Sequence, residues 1–309
     1  MKPSPRIVVV GSSNTDMIIQ LARIPKPGET LLGGEFSVAA GGKGANQAVG
    51  AARAGGAVSF VARIGRDMFG EQALAGFRRE GLRVEGIVRD AKAPSGVALI
   101  FVGKDGENSI AVAGGANAKL TPADVKKARR TIAAADVLVL QLETPLATVR
   151  AAAEIAVAAG VTVILNPAPA QPLPAALLEL VSILTPNEHE AESLTGIPVR
   201  DAASAARAAA ALRARGVGAV IITLGARGAF VAAEGIATLV PGFKVRAVDS
   251  TAAGDIFNGA LAVALAEGRP LPDAVRFANA AGALSVTKLG AQPSAPLRKE
   301  IETFLKAKS

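Results

Sequence analysis

Two short segments carry residue types at a spacing that suits phosphoryl transfer to a hydroxyl group. The first, Gly41–Asn46 (GGKGAN), is a glycine-rich loop whose last residue and its neighbour Gln47 are amides suited to a polyol. The second, Asp249–Asp255 (DSTAAGD), places small residues before an acid at the start of a helical run. Backbone N–H groups at such a turn, together with the positive end of the helix, bind anions. An acid beside them can accept a proton from a hydroxyl that attacks a phosphate, so the two segments together predict a kinase.

Each segment alone also has a purely structural interpretation. Asp255 suits the N-cap of a helix, and the glycines near residue 41 suit a tight loop. The GGKG sequence lacks the spacing of a Walker A loop, and the first strand ends in GSSN instead of a GxGxxG turn. These features argue against a P-loop NTPase and a dinucleotide-dependent oxidoreductase, whereas finding both segments in one chain favours a kinase.

The elements that must position these residues follow a simple alternation of short β-branched runs with alanine-rich stretches. We predict strands at Arg6–Val10, Val58–Ala62, Val137–Leu140, Val161–Leu165, Ile183–Leu184 and Ala219–Thr223, and helices at Lys43–Ala54, Gly70–Glu80, Leu146–Ala159 and Ala202–Arg215. This alternation is typical of an α/β protein with a mainly parallel sheet sandwiched by helices. We expect one catalytic domain spanning residues 1–309.

Two regions break the alternation because they contain strand-like runs without helices. Met17–Ala39 has amphipathic strand-like pieces around IPKPGET, and Gly96–Ala113 is predicted to form a hairpin that turns at Lys104–Gly106. We expect a small separate β-sheet, inserted discontinuously into the domain from about residues 15–40 and 96–113.

Polar residues recur near the carboxyl ends of the predicted strands. They are Asn14, Asp16, Glu143, Asn166, Asn187 and Thr223. In open α/β sheets ligands bind outside these strand ends. The pattern therefore predicts a ligand crevice along one edge of the sheet.

The composition excludes several classes of protein. The 309 residues include no cysteine and one histidine, which argues against disulfides, a thiolate nucleophile and imidazole-based sites. The net charge is +8, but the basic residues are scattered and tryptophan and tyrosine are absent, so we expect no nucleic-acid partner. No apolar run reaches the roughly 18 residues of a membrane span, and the first apolar run is too short for a signal peptide. We expect no membrane partner and a cytoplasmic location.

The two segments resemble the signatures of the ribokinase-type (PfkB) carbohydrate kinases, and GGKGANQA is similar to the form found in members that phosphorylate D-ribose. The resemblance runs from GSSNTDM near the start to AGALSVTKLGAQPS near the end. It implies transfer from ATP to O5 of D-ribose with Mg²⁺, and a β-lid over the sugar that often forms a homodimer. The alternatives are another sugar or nucleoside kinase (deoxyribokinase, fructokinase or adenosine kinase) and, from another class, a non-catalytic sugar-binding regulator. The absence of Tyr and Trp disfavours a nucleoside pocket, and the intact acid and glycines disfavour the regulator.

Individual roles follow from the same resemblance. Asp255 is the expected catalytic base, beside an anion hole formed by Ala252, Ala253 and Gly254. The expected sugar-binding residues are Asn14, Asp16, Gly42, Lys43, Gly44, Ala45, Asn46, Glu143 and Asp255. The residues expected to border ATP are Asn187, Thr223, Leu224, Gly225, Ala226, Arg227, Gly228, Gly254 and Asn279, although Thr223–Gly228 also reads as an ordinary hairpin loop.

The resemblance also implies two metal sites. Asn187–Glu190 (NEHE) reads as a capping box, but matches a motif whose acid, here Glu190, holds Mg²⁺ through water. A loop near the C-terminus would enclose K⁺ together with the second segment, through Asp249, Thr251, Ser285, Lys288, Gly290 and Ser294; the simpler interpretation is a surface loop. The ammonium group of Lys288 cannot bind a cation, so its contribution would be a backbone carbonyl. The related motif often reads DTTGAGD, and the DSTAAGD found here differs in ways that affect the fine geometry of the loop.

Overall fold

A nine-stranded sheet forms the centre of the computed structural model, which describes residues 4–104 and 107–308. The strands are β1 Arg6–Val10, β2 Asn14–Leu21, β3 Glu35–Gly41, β4 Ala57–Gly65, β5 Ile87–Asp90, β6 Gly96–Gly103, β7 Asn108–Ala113, β8 Val137–Leu140, β9 Thr162–Leu165, β10 Ile183–Leu184, β11 Ala219–Thr223, β12 Gly228–Ala233 and β13 Ile236–Pro241. The helices are α1 Lys43–Arg53, α2 Met68–Arg79, α3 Pro122–Lys127, α4 Arg129–Ala133, α5 Leu146–Ala158, α6 Ala175–Leu178, α7 Glu188–Thr195, α8 Ala202–Arg213, α9 Ala253–Ala266, α10 Leu271–Ser285 and α11 Arg298–Lys306.

The order of strands in the large sheet is β13-β12-β11-β10-β9-β8-β1-β4-β5. Strands β12 and β13 run antiparallel to their neighbours, and the other pairings are parallel. The predicted α/β class with a mainly parallel sheet is confirmed. The six predicted strands are present with small differences at their ends, and the large sheet also contains β5, β12 and β13, which were not among them. Among the helices, α2 begins two residues earlier than predicted because Asp67 caps it, accepting the backbone N–H of Gly70 at 2.8 Å.

Both faces of the large sheet are buried by helices. Ile7 and Val9 of β1 belong to an apolar cluster with α1, α9 and α10, while Val8 and Val10 belong to a second cluster with α5 and α8. Successive side chains of a strand point to opposite faces, so a strand covered on both sides is apolar throughout. This explains why β1 reads as an unbroken run of β-branched residues.

The predicted small sheet is present, and we call it the lid sheet. Its strand order is β3-β2-β6-β7, with β2 and β6 parallel and the two outer pairings antiparallel. The predicted hairpin is confirmed as β6 and β7, but residues 105 and 106 of its predicted turn lie outside the described residues. The IPKPGET sequence lies in the connection between β2 and β3, so the strands flank it.

Within residues 4–104 and 107–308, no helix is both long enough and apolar enough to cross a membrane.

Candidate active site

Asp255 is a buried carboxylate held by two amide side chains. It lies in the first turn of α9, against the start of α1. Nδ2 of Asn46 donates to its Oδ2 at 3.0 Å, and Nε2 of Gln47 donates to its Oδ1 at 3.0 Å. The helices approach this closely because residue 259 is glycine, where a Cβ atom would lie 2.6 Å from the backbone oxygen of Gln47. The acid of one segment therefore meets the amides of the other, and Gln47 serves the acid instead of facing a polyol.

The turn before Asp255 has an unusual backbone. Ala252 is the N-cap of α9 and adopts a left-handed conformation, with φ 59° and ψ 11°. In the part of the chain that the structure describes, it is the single non-glycine residue with a positive φ. The left-handed region favours glycine, which gives a physical reason for the glycine at this position of the related motif.

The helix end next to Ala252 has N–H groups to offer an anion. No side chain caps α9, and the first N–H groups of a helix have no partner within it. The N–H of Ala253 bonds weakly to the carbonyl of Ser250 at 3.3 Å, which leaves those of Gly254 and Asp255 better placed for an anion. The turn can therefore bind a phosphoryl group beside the carboxylate.

A cavity of about 170 Å³ lies between the two segments. Residues from the strand ends, the two segments and the start of α7 line it: Lys43, Asn166, Ala168, Thr185, Asn187, Glu190, Thr223, Ser250, Ala252, Ala253, Gly254, Asp255 and Asn258. Of the polar residues predicted at the strand ends, Asn166, Asn187 and Thr223 line this cavity, whereas Asn14, Asp16 and Glu143 lie outside its lining.

The predicted sugar-binding loop lies against the first residue of β2, Asn14, where the lid sheet begins. Gly42 has φ 89°, and a Cβ atom there would lie 2.6 Å from the backbone nitrogen of Asn14. Oδ1 of Asn14 accepts Nδ2 of Asn117 at 2.7 Å, which leaves the amide N–H groups of Asn14 for a ligand. The N–H groups of Gly44 and Ala45 bond instead to Ser12. Contact between the loop and a sugar would come from Gly42, Lys43 and Asn46.

Glu143 bridges this loop and Ser12, which lies between β1 and β2. Its Oε2 accepts the backbone N–H of Lys43 at 3.0 Å and the hydroxyl of Ser12. Its second carboxylate oxygen has no such bond among the described contacts, so it can accept a hydroxyl from a ligand. Asn46 can do the same, because its buried Oδ1 has no partner within the described residues.

The acidic groups near Asp255 repel one another. Burial, followed by the charges of Glu143 and Asp255, raises the pKa of Asp16 to about 6. Burial also raises the pKa of Asp255, against the opposing effects of Lys43 and the two amides. Burial lowers the pKa of Lys43, but the charges of the surrounding carboxylates outweigh this and raise it. The ammonium group of Lys43 is therefore charged, and it lies where it can attract a phosphoryl group.

The segment Thr223–Gly228 is a hairpin loop between β11 and the antiparallel strand β12. Thr223 lines the cavity, and Asn187 pairs with it in an isolated bridge. Leu224 is buried, whereas Gly225–Arg227 form an exposed helical turn. The loop therefore reaches from the cavity to the surface, as a nucleotide site requires.

Two residues assigned to ATP already have protein partners. Arg227 forms an ion pair with Glu188 and donates to the carbonyl of Arg200. Nδ2 of Asn279 donates to the last two carbonyl groups of β13, at 3.2 Å each. Asn279 thus anchors β13, and contact with a nucleotide would use its remaining oxygen.

Asn187 and Glu190 form the predicted capping box of α7. Asn187 Oδ1 accepts the N–H of Glu190 at 2.8 Å, while the Glu190 carboxylate accepts the N–H and Nδ2 of Asn187 at 2.9 and 3.0 Å. Burial raises the pKa of Glu190, whose side chain lines the cavity. The described residues contain no cluster of three or more His, Cys, Asp or Glu suited to a metal. A single carboxylate whose oxygens already accept hydrogen bonds fits Mg²⁺ held through water ligands.

Asp249 joins the two segments assigned to K⁺, which are the turn before α9 and the loop after α10. Its Oδ1 accepts the N–H of Thr251 at 2.9 Å, and its Oδ2 accepts the N–H of Gly290 at 2.8 Å. The ammonium group of Lys288 pairs with Glu300 at 3.0 Å, and the hydroxyls of Ser285 and Ser294 bond to carbonyls three residues earlier. The loops therefore lie together, and they could offer a cation mainly backbone oxygens.

Several polar residues around the site were not assigned a role from sequence. They are Ser12, Asn117, Gln141, Thr185 and Asn258. Gln141 and Thr185 directly follow β8 and β10, so the strand-end signal covers them too. Asn258 lies about one helical turn beyond Asp255, which places both on one face of α9.

The family model for pfkB family carbohydrate kinases matches residues 4–298. A ribokinase from Haemophilus influenzae is 48% identical over 299 residues, covering 97% of this chain and 98% of that protein. The solved structure of a Thermotoga maritima ribokinase is 41% identical with a TM-score of 0.89, covering 97% and 99% of the two chains. The structure of Arabidopsis thaliana ribokinase complexed with ribose and ATP is 35% identical with a TM-score of 0.91, covering 98% and 99%.

Proposed function

This chain belongs to the pfkB family of carbohydrate kinases, and we propose that it phosphorylates D-ribose at O5 with ATP, giving ribose 5-phosphate and ADP. The observation that carries the proposal is the juxtaposition at Asp255. A buried carboxylate stands beside the N–H groups that begin α9, and the GGKGAN loop meets it from the other side. The base and the anion-binding turn thus line one cavity, and the loop that would hold the polyol reaches it through Lys43 and borders Asp255 through Asn46.

Asp255 acts as the base in the proposed reaction. The O5 hydroxyl of the sugar gives its proton to Asp255 as the oxygen bonds to the γ-phosphorus, and the bond to the bridging oxygen of ADP breaks. The N–H groups at the start of α9 and the ammonium group of Lys43 stabilise the charge of the transferring group. The two amides fix the carboxylate, which reduces the reorganisation that the transfer requires.

We propose that Asp16, Asn14, Asn46 and Glu143 bind the sugar hydroxyls, and that the hairpin loop Thr223–Gly228 borders ATP. A site built from amides and carboxylates selects strongly against sugars that lack a hydroxyl. Glu190 would hold Mg²⁺ through water, and the ion would neutralise phosphate charge when bound.

We propose that K⁺ activates the enzyme through the loops that Asp249 joins. A cation held by their backbone oxygens would fix the turn at Ala252 without touching the phosphate. We expect a higher kcat in KCl than in NaCl or tetramethylammonium chloride of equal ionic strength. Equal rates in the three salts would contradict this role and leave the kinase assignment standing.

The chain would form a single catalytic domain in which the lid sheet covers the sugar and joins two copies in a homodimer. We propose a cytoplasmic location, since that is where ATP is available.

The proposal is tested by coupled ADP release with ribose, 2-deoxyribose, fructose and adenosine as acceptors. We expect the highest kcat/KM with ribose. A preference for another acceptor would move the assignment within the family, and sugar binding without ADP formation would indicate a non-catalytic regulator.

A further inference from the structure

A chain of buried polar side chains runs beneath Asp255. Nε2 of Gln141, directly after β8, donates to Oε1 of Gln47 at 2.6 Å. Nε2 of Gln47 donates both to Oδ1 of Asp255 at 3.0 Å and to Oδ1 of Asn166 at 3.1 Å. The exposed fractions of Gln47 and Gln141 are 0% and 1%, so water does not compete for these bonds.

The chain continues from Asn166 to the anion-binding turn. Nδ2 of Asn166 donates to the carbonyl of Thr185 at 3.0 Å, and Oγ1 of Thr185 donates to Oδ1 of Asn258 at 2.7 Å. Nδ2 of Asn258 donates to the carbonyl of Gly254 at 2.8 Å. The base and the turn are thus held by one set of bonds, which we call the buried relay: Gln141, Gln47, Asn166, Thr185 and Asn258.

The Gln47 amide can adopt one orientation. Its nitrogen donates to two acceptor oxygens and its oxygen accepts from a donor. Exchanging the two atoms would place the oxygen of Gln47 against the oxygens of Asn166 and Asp255, which is costly in a buried network. An N–H of Gln47 therefore always faces Asp255.

We propose that Gln47 is a positioning residue for the base, acting through the buried relay and not through contact with either substrate. The inference rests on the proposed function, because it concerns the reaction in which Asp255 is the base. With one amide on each oxygen, the plane of the carboxylate is fixed and its remaining lone pairs are left for the sugar hydroxyl. Hydrogen bonds to the ionised form also oppose the effect of burial, which raises the pKa of Asp255.

Charged groups from four elements also act on Asp255. Lys43 of α1 lowers its pKa, and Glu143 after β8 raises it. Asp16 of β2 and Glu190 of α7 each have a pKa that the charge of Asp255 raises, so they repel it in turn. A neutral substitution at Gln47 leaves these four charges in place, and a shifted pH profile then reports the lost hydrogen bond.

The test is Gln47→Met in the full chain, with kcat measured against pH. We expect kcat to fall roughly 10- to 100-fold, because small displacements of a reacting group are this costly. We also expect the acidic limb of the profile to move upward by about one pH unit, because a bond to the ionised base is lost. The KM for ATP should stay within a few-fold.

A second variant, Gln141→Met, keeps the bond between Gln47 and Asp255 but removes the donor that orients Gln47. We expect a smaller upward shift of the same limb, and this variant decides the matter if Gln47→Met does not fold. Thr148→Val is the matched control: it removes a buried hydroxyl of α5 that donates to the carbonyl of Leu120 at 2.7 Å and bonds to no residue of the relay. It should lower stability without moving the pH profile.

Folded relay variants with the wild-type pH profile would overturn the positioning role. So would an equal shift in Thr148→Val, which would make the effect a general loss of stability. Failure of the wild-type chain to release ADP with any acceptor is a different outcome and would count against the proposed function itself.

Discussion

At Asp255, burial and hydrogen bonding act in opposite directions on one carboxylate. Burial raises its pKa and makes it a stronger base, while the amides of Asn46 and Gln47 and the charge of Lys43 favour the ionised form. Burial is the largest of these effects, so the pKa of Asp255 lies above its usual value while the two amides and Lys43 limit the rise. Its position at a helix N-terminus also lowers its basicity, which a loose transition state with late proton transfer tolerates.

Replacing this base should remove the chemistry and leave the binding. We expect Asp255→Asn to lower kcat by roughly 10²–10⁴ and to leave the KM for ribose within a few-fold. Steady-state ADP release measures both. Asp201→Asn is the matched control, because Asp201 is also an acid at a helix start, capping α8 through the N–H of Ser204 at 2.8 Å. Near-normal turnover in a folded Asp255→Asn variant would reduce Asp255 to a structural role.

Asp16 should be needed for sugar binding and not for nucleotide binding. It lies near the start of β2 in the lid sheet, and the charges of Glu143 and Asp255 both raise its pKa. We expect Asp16→Ala to weaken ribose binding by about 1–3 kcal/mol, because the sugar hydroxyls lose an acceptor. ATP affinity should barely change. Calorimetry that shows unchanged ribose affinity would remove Asp16 from the site.

The buried carboxylate of Asp16 should also lower the free energy of unfolding of the protein without ligands. Its pKa rises from 3.8 to about 6 on folding, so the folded state binds the proton more tightly than the unfolded chain. The cost is absent below about pH 4, grows between pH 4 and 6, and is complete above pH 6. We expect Asp16→Asn to raise the free energy of unfolding at pH 7.5 by about 2–3 kcal/mol, with the gain vanishing near pH 4. Urea unfolding at both pH values measures this, and a gain that does not depend on pH would contradict it.

At the scale of elements, the junction between the turn and α9 depends on one residue. Ala252 holds a left-handed conformation that β-branched residues avoid strongly. We expect Ala252→Val to lower the free energy of unfolding by about 1–2 kcal/mol or more and to lower kcat. Ala252→Gly is the matched control and should keep both near wild type. Equal behaviour of the two variants, in urea unfolding and in ADP release, would show that the turn is not held in this conformation.

The sequence predicted the strands well because a sheet buried on both faces requires apolar, β-branched runs, as in β1. It also predicted that Asn46 and Asp255 share a site, since each lies in a recognisable segment. It did not predict that Gln47 serves the base. That contact depends on the distance between α1 and α9, which Gly259 permits, and local patterns do not reveal such a distance. The same holds for Gln141 and Asn258, whose roles depend on residues far along the chain.

At the scale of the whole molecule, the register of the lid sheet separates its two faces. Residues directly opposite each other share a face, so the pairing of Asp16 with Ala98, and of Ala98 with Val112, places all three on one face of the lid sheet. The other face carries Phe36, Val38 and Leu99, with exposed fractions of 65%, 50% and 47%. Ile110 and Val112, on the face of Asp16, are 54% and 53% exposed, so both faces of the lid sheet carry exposed apolar side chains, and such side chains mark interaction surfaces.

We expect this second face of the lid sheet to pair with its copy in a symmetric dimer, because one patch repeated on two chains can bury itself. Phe36→Glu should place a charge in the contact and give a monomer, while the wild-type chain sediments at twice the mass of 31.0 kDa. Leu32→Glu is the matched control, because Leu32 is 95% exposed but lies in the connection between β2 and β3, outside the sheet. It should remain dimeric. Sedimentation velocity over a range of concentrations distinguishes the three. A monomeric wild-type chain would contradict the dimer, and a dimeric Phe36→Glu variant would move the contact to another surface.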